Sequence, residues 1–248
     1  MMSTGLDWKR FRLMTFDCYG TLVNWEAGIL GVLKPWAGNT GIMASDEEML
    51  AAFGEAESAA EYAMPKSVYR DILRETMNAI AAKFGKVASA SEQDALATSV
   101  GDWPVFADTV EGLRALQGWH KLMVVSNVDK ASFSRTAPKL GVQLDGLVTA
   151  EEVGAYKPDK KMFERAMQAA KELGVKKEEI LHVAQSLFHD IAPARALGLT
   201  TVWVDRHGGK AGGATPKPQG DATPHLRVGS LWELVEIERL ERDGQAGG

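Results

Sequence analysis

Four short apolar runs in this chain each end in residues able to do chemistry. Arg12-Leu13-Met14-Thr15-Phe16 stops at Asp17 and continues through Cys18-Tyr19-Gly20-Thr21. Leu122-Met123-Val124-Val125 leads into Ser126-Asn127. Leu147-Val148-Thr149 is followed, a few residues on, by Tyr156-Lys157-Pro158-Asp159. Ile180-Leu181-His182-Val183 leads to Gln185-Ser186 and then His189-Asp190. The run ends together offer two carboxylates, one lysine, two hydroxyls and two amides. A lysine beside a carboxylate keeps it ionised, as a nucleophile must be. Singly, each residue has an ordinary reading. Asp after a strand is a common turn residue, Ser-Asn a common helix cap, Lys157-Pro158 an exposed loop, and Asp190 the cap of the helix that follows. Their recurrence at four successive run ends favours a shared site.

The elements needed to position them are legible. The run before Asp17 predicts a buried strand ending in a tight loop assisted by Gly20. About Val23 to Val100 is rich in Ala, Glu and Met and predicts helices without strands. Ser45-Asp46-Glu47-Glu48 is a capping box for a helix to about Glu61. Ser67 is expected to open a second helix, with Ile72, Leu73, Met77 and Ile80 on one face, and Ser91 a third. From Val110 onward helix and strand alternate, the pattern of a parallel sheet with helices on both faces. The strands expected there are Leu122–Val125, Leu147–Thr149, Ile180–Val183 and Thr201–Val204. Gly208 to Pro224 reads as a surface loop, about Leu231 to Glu241 as a last helix, and Gly244 to Gly248 as a frayed end. The fold class is therefore α/β, with a Rossmann-like core formed by 1–22 and 102–248 and a helical cap at 23–101. Ligands of such sheets bind beyond the carboxyl ends of the strands, where the polar residues fall.

Composition excludes other classes. With 248 residues the chain is long enough for a substantial core. Its 28 basic against 33 acidic residues give a net charge of −5, which argues against nucleic acid as the main partner. The single cysteine, Cys18, excludes an intrachain disulfide framework and a cysteine-based metal site. No apolar run approaches the ~20 residues of a membrane span, and the first ten residues lack a signal-peptide core, so the cytoplasm is the expected address.

Phe16-Asp17-Cys18-Tyr19-Gly20-Thr21-Leu22 resembles the first motif of the haloacid dehalogenase superfamily, and Val125-Ser126-Asn127 its second. Tyr156-Lys157-Pro158-Asp159 resembles the third, and His182 through Asp190 the fourth. Most members resemble phosphatases, with a general acid two residues after the nucleophile and a Mg²⁺ site fed by a Gly-Asp pair in the fourth motif. Here those positions hold Tyr19 and Ala184-Gln185. The resemblance is therefore to the metal-free branch, the L-2-haloacid dehalogenases, because a halide leaves without a proton and needs no dication. It implies that Asp17 attacks carbon C2 to form an ester, which water hydrolyses to a 2-hydroxy acid. Lys157 would orient Asp17, and Asp190 would order the water with His189 or Ser186. Thr21, Ser126 and Asn127 would donate to the substrate carboxylate or to Asp17, and Tyr19, Gln185 and Ser186 would line the substrate. Neither metal nor cofactor is expected. The expected partner is a small halogenated carboxylate, and a homodimer is compatible with the resemblance.

Three departures bear on substrate. The branch's early cap arginine has no counterpart, Arg70 being the first arginine after Asp17. The fourth motif is one residue longer than the branch's form, and a tyrosine six residues after the motif-three lysine is Phe163. His189 is either a helix-start residue or part of the site. His182 is expected to be a satisfied core histidine and Cys18 to pack, as are Trp25, Trp36 and Trp103, unless one tryptophan lines a halide pocket. An atypical phosphatase and a non-catalytic binding protein remain the alternatives.

Overall fold

The structure, a computed structural model, describes residues 4–209 and 220–244. Much of the expected Gly208–Pro224 loop and the expected frayed end beyond Gly244 lie outside the described residues.

The chain begins with β1 (Leu13–Phe16), followed by α1 (Trp25–Thr40), α2 (Asp46–Ala63), α3 (Tyr69–Lys83) and α4 (Ala90–Ser99). Alternation then sets in: α5 (Thr109–Gln117), β2 (Lys121–Ser126), α6 (Lys130–Thr136), β3 (Gly146–Thr149), α7 (Ala150–Val153), α8 (Lys160–Glu172), β4 (Ile180–Ala184), α9 (Ala192–Ala196) and β5 (Thr200–Val204). A sixth strand, β6 (Leu226–Val228), and α10 (Leu231–Gly244) follow. The strands form one parallel sheet in the order β3-β2-β1-β4-β5-β6, flanked by helices. The sheet was expected, but β6 was not, because three residues with one buried side chain carry almost no periodicity.

The order reverses at β1, whose neighbours are β2 on one side and β4 on the other. Phe16 is in register with Val124 of β2 and Val183 of β4. Asp17, Ser126 and Gln185 therefore emerge at nearly one level, at the crevice where open parallel sheets bind ligands. All four residues of β1 are buried, as continuous apolar runs in a two-faced sheet require.

In the helical insertion, Ser45 and Glu48 complete the expected capping box. Two starts differ from expectation. α3 begins at Tyr69 without a side-chain cap, and the Ser67 carbonyl instead accepts from the Tyr156 hydroxyl at 2.7 Å. α4 is opened by Ser89, whose capping box closes on Glu92, leaving Ser91 inside the first turn. The insertion seats tightly on the core at Gly28 of α1, where a Cβ would lie 2.1 Å from Cγ of Trp103.

α10 is anchored by a buried polar contact. His120 Nε2 lies 2.6 Å from Glu238 Oε1, with both side chains fully buried, and Arg242 Nε donates to the same oxygen at 2.6 Å. Removing Glu238 strands the fully buried His120 ring, while the partly exposed Arg242 keeps its contact with the Trp8 carbonyl. Glu238→Ala should lower unfolding free energy by about 3–5 kcal/mol, read from urea denaturation. A loss under about 1 kcal/mol would mean water replaces the carboxylate there.

Candidate active site

The loop after β1 is wound tightly. Leu22 and Val23 both donate backbone N–H to the Cys18 carbonyl, at 2.8 and 2.9 Å, and Gly20 donates to Val23 at 2.8 Å. Gly20 adopts φ +98°, a conformation that disfavours a side chain. The loop turns Thr21 back onto Asp17, and its hydroxyl donates to Asp17 Oδ2 at 2.7 Å. Arg206, in the loop after β5, donates to the Thr21 carbonyl at 2.7 Å, pairs with Asp108 at 2.7 Å and lies over the Phe106 ring. Sequence reasoning did not single out Arg206, because its signal is a contact 185 residues distant along the chain.

Lys157 sits at the centre. Its Nζ donates to Asp17 Oδ1 at 2.7 Å, to Asp190 Oδ1 at 2.8 Å and to the Val125 carbonyl at 3.0 Å. An ammonium has three hydrogens, so all are used. Asn127 fixes the lysine from behind: its Oδ1 accepts from the Lys157 N–H at 2.7 Å and its Nδ2 donates to the Lys157 carbonyl at 3.3 Å. Of the two partners expected for Asn127, the substrate carboxylate or Asp17, its amide does not contact Asp17 and is engaged on the lysine backbone. Ser126 Oγ is buried and has no hydrogen-bond partner.

Asp190 is delivered by a π-helical turn, Leu187–Ile191. The wide turn aims Asp190 at Lys157. His182 is the satisfied core histidine expected, and one of its contacts reaches the site. With Nε2 protonated it donates to Asp190 Oδ1 at 3.2 Å while Nδ1 accepts the Thr15 hydroxyl at 2.9 Å. Phe163 packs edge-on against the same ring. Ser186 Oγ accepts from the His189 N–H at 2.9 Å and lies 3.2 Å from its Nδ1.

Charge is distributed unevenly. Burial pushes the Asp17 carboxyl up from its ordinary range, against the pull of Lys157. The simpler expectation, that the lysine alone lowers it, therefore needs correcting. Burial also acts on Asp190, but Lys157 and His182 hold that carboxyl below its usual value. Burial would lower Lys157, yet the two carboxylates raise it. Burial holds His189 down to about 4, so its ring is neutral near pH 7.

A cavity of about 70 Å³ joins these groups. Asp17, Tyr19, Ser126, Asn127, Lys157, Gln185, Ser186, His189 and Asp190 all line it. Of the expected site residues only Thr21 does not, lying behind Asp17. Tyr19 presents its ring, while its hydroxyl bonds Thr136 Oγ1 at 2.8 Å. Trp25 lines the wall, whereas Trp36 and Trp103 are buried. A larger cavity of about 550 Å³ shares Glu61, Lys157 and His189 with the first and extends past Tyr62 and Lys66.

The sequence reading missed Glu57, Glu61 and Tyr69, which, with Val128, complete the lining. The spacing Phe53, Glu57, Glu61 places all three on one face of α2, a signal available in the sequence but hidden among the acidic residues of that helix. Tyr69 donates to Glu57 Oε1, and Asn127 Nδ2 donates to Glu61 Oε1 at 3.2 Å. Arg70 points elsewhere, with Nε 3.7 Å from Asp129, and Lys34 pairs with Asp46.

The donor set does not fit the Mg²⁺ of the phosphatase pattern. Asp17 and Asp190 both face the Lys157 ammonium, and Gln185 offers an amide where a hard dication favours a carboxylate. Among the described residues no three His, Cys, Asp or Glu side chains are grouped as metal ligands.

A family model described as haloacid dehalogenase-like hydrolase matches residues 11–198. The (S)-2-haloacid dehalogenase of Pseudomonas sp. (strain YL) is 30% identical over 135 residues, 53% of this chain and 54% of that one. The phosphoserine phosphatase of Thermus thermophilus is 39% identical over 89 residues, 36% of this chain and 32% of that one. The chain thus spans about a third to a half of the length of these curated relatives. The L-2-haloacid dehalogenase of Xanthobacter autotrophicus with chloropropionic acid covalently bound superposes with a TM-score of 0.76 at 16% identity, covering 92% of this chain and 98% of that one. No helix among the described residues is long and apolar enough to cross a membrane. With three quarters of its length matched and each motif at the crevice of the parallel sheet, the chain belongs to the haloacid dehalogenase-like hydrolases.

Proposed function

We propose that this hydrolase cleaves the carbon–halogen bond of small 2-haloalkanoic acids, without metal, through an ester on Asp17. The observation that carries the reading is the Lys157 ammonium shared between Asp17 and Asp190, which supplies the positive charge a dication would otherwise bring. Tyr19 adds to it. Its hydroxyl is turned to Thr136 and burial pushes it up, so no acid stands two residues after the nucleophile to protonate an alkoxide. A leaving group that departs as a weak base fits such a site.

An Asp17 oxygen forms a bond to C2 as the carbon–halogen bond breaks and halide departs with its electron pair. Water then adds to the Asp17 carboxyl carbon. Asp190, whose Oδ2 is buried without a partner, receives the water proton, with Ser186 and His189 beside it. The acyl–oxygen bond breaks, the product oxygen takes the proton, and a 2-hydroxy acid of inverted configuration leaves. Thr21 and Lys157 hold the two Asp17 oxygens in place. Ser126 and the lining residues Asn127, Gln185 and Tyr19 face the substrate, and α1–α4 act as the cap that excludes bulk water.

Halide release from racemic 2-chloropropionate should be unchanged by EDTA and abolished in Asp17→Asn. Turnover of p-nitrophenyl phosphate with Mg²⁺, and none of the halo acid, would instead make this chain a phosphatase. Lys157→Ala should lose on the order of 100-fold in turnover while circular dichroism shows the fold kept. Retained turnover would place the lysine outside the reaction. Because burial raises Asp17, kcat/KM should fall on the acid side as that group takes a proton, at a pH above the ~4 of an ordinary aspartate. An acid limb at or below that value would mean the Lys157 attraction outweighs burial.

A further inference from the structure

The wall that α2 contributes to the cavity is acidic. Glu57 and Glu61, both half-buried, line the same space as Asp17, and their polar contacts are neutral groups, the Tyr69 hydroxyl and the Asn127 amide. Burial raises both carboxyls, Glu57 to about 7, and it holds Glu61 well above its ordinary range with the Glu57 charge beside it. Across the cavity, Lys157 is the one lysine or arginine among the described residues of the lining, and its three hydrogens go to Asp17, Asp190 and Val125. Four carboxyls thus face one ammonium that is already engaged.

Among the described residues of this lining, a substrate whose only charge is a carboxylate meets no free lysine or arginine and adds to an acidic wall. A substrate with an ammonium lets the α2 carboxyls ionise against it. Independently, Ser126 Oγ is buried to 1% exposure in the same cavity with no hydrogen-bond partner, the state of a polar group that a ligand completes. We propose that the substrate carries a protonated amine, received by Glu57 and Glu61, in addition to the carbon that Asp17 attacks. This rests on the reading of Asp17 as nucleophile and narrows the substrate class to small amine-bearing electrophiles, such as amino-substituted 2-halo acids. In such a molecule the ammonium lies towards α2 and the leaving group elsewhere, and Ser126 donates to a neighbouring oxygen.

The stable hydrolysis products isolate this question from the chemistry. Isoserine (3-amino-2-hydroxypropanoate) and lactate differ only by an ammonium on C3. By calorimetric titration of the intact protein at pH 7.5, isoserine should bind at least about tenfold more tightly than lactate. In a Glu57→Gln, Glu61→Gln variant of unchanged circular dichroism the preference should vanish. Equal affinities, a preference for lactate, or no measurable isoserine binding in the wild-type protein would overturn the proposal, whatever the variant does. So would a preference that survives the double substitution. Halide release from 3-amino-2-chloropropanoate and 2-chloropropionate, measured beside it, separates the two readings. Isoserine preference with no halide from either acid would keep the amine site and remove the dehalogenation. Halide from 2-chloropropionate without isoserine preference would do the reverse.

Discussion

One ammonium, removed from water and shared between two carboxylates, sets the arrangement of the whole site. Lys157 reaches Asp17 at the end of β1, Asp190 after β4 and the Val125 carbonyl on β2. Three strand ends are thereby tied to one atom. A buried charge group of this kind is a poor source of stability, since desolvation offsets most of the attraction. Its value here is geometric. The contacts leave the lysine one position, and that position fixes both Asp17 oxygens once Thr21 is added.

The surrounding structure is arranged to hold that atom still. Asn127 clamps the lysine backbone, His182 and Thr15 hold Asp190, and Arg206 grips the carbonyl of Thr21. Each holder comes from a different part of the sheet, so the parallel order is a requirement of the site as much as a fold. The same constraint explains the π-helical turn. A regular helical turn over Leu187–Ile191 would rotate Asp190 off the lysine, and the wider π-helical turn keeps it there.

How much of this the sequence disclosed depended on the range of the signal. Strand ends were readable because apolar runs stop abruptly at Asp17, Ser126 and Gln185, and these residues do meet at the crevice. Register between strands carried them there without any information beyond the alternation of elements. Asp190 and Lys157 were legible for the same reason. The start of α4 was misplaced by two residues although Ser89 and Glu92 spell a capping box, because Ser91 offered a competing cap. Arg206 and the Thr15 contact of His182 were illegible, as each depends on a partner distant in sequence. Glu57 and Glu61 were legible in spacing but not in direction, since a helix with this many acidic residues does not announce which face turns inward.

The two sides of the cavity handle negative charge by different physics, and the contrast limits what can bind. On the sheet side Asp17 and Asp190 share a permanent cation. On the α2 side Glu57 and Glu61 have only neutral donors, so protons must hold down their charge. A carboxyl raised to about 7 by burial keeps its proton in the folded protein well above the 4.5 at which it would lose it unfolded. The folded state thus gains from that proton below the unfolded value and loses the gain progressively as pH rises towards 7 and beyond. A ligand that brings its own positive charge removes this dependence, because the carboxylate then has a partner at any pH where the amine is protonated. A ligand that brings a second negative charge deepens it. The pocket is thus poised between protonation and occupancy by a cation, a bias set by the α2 carboxyls.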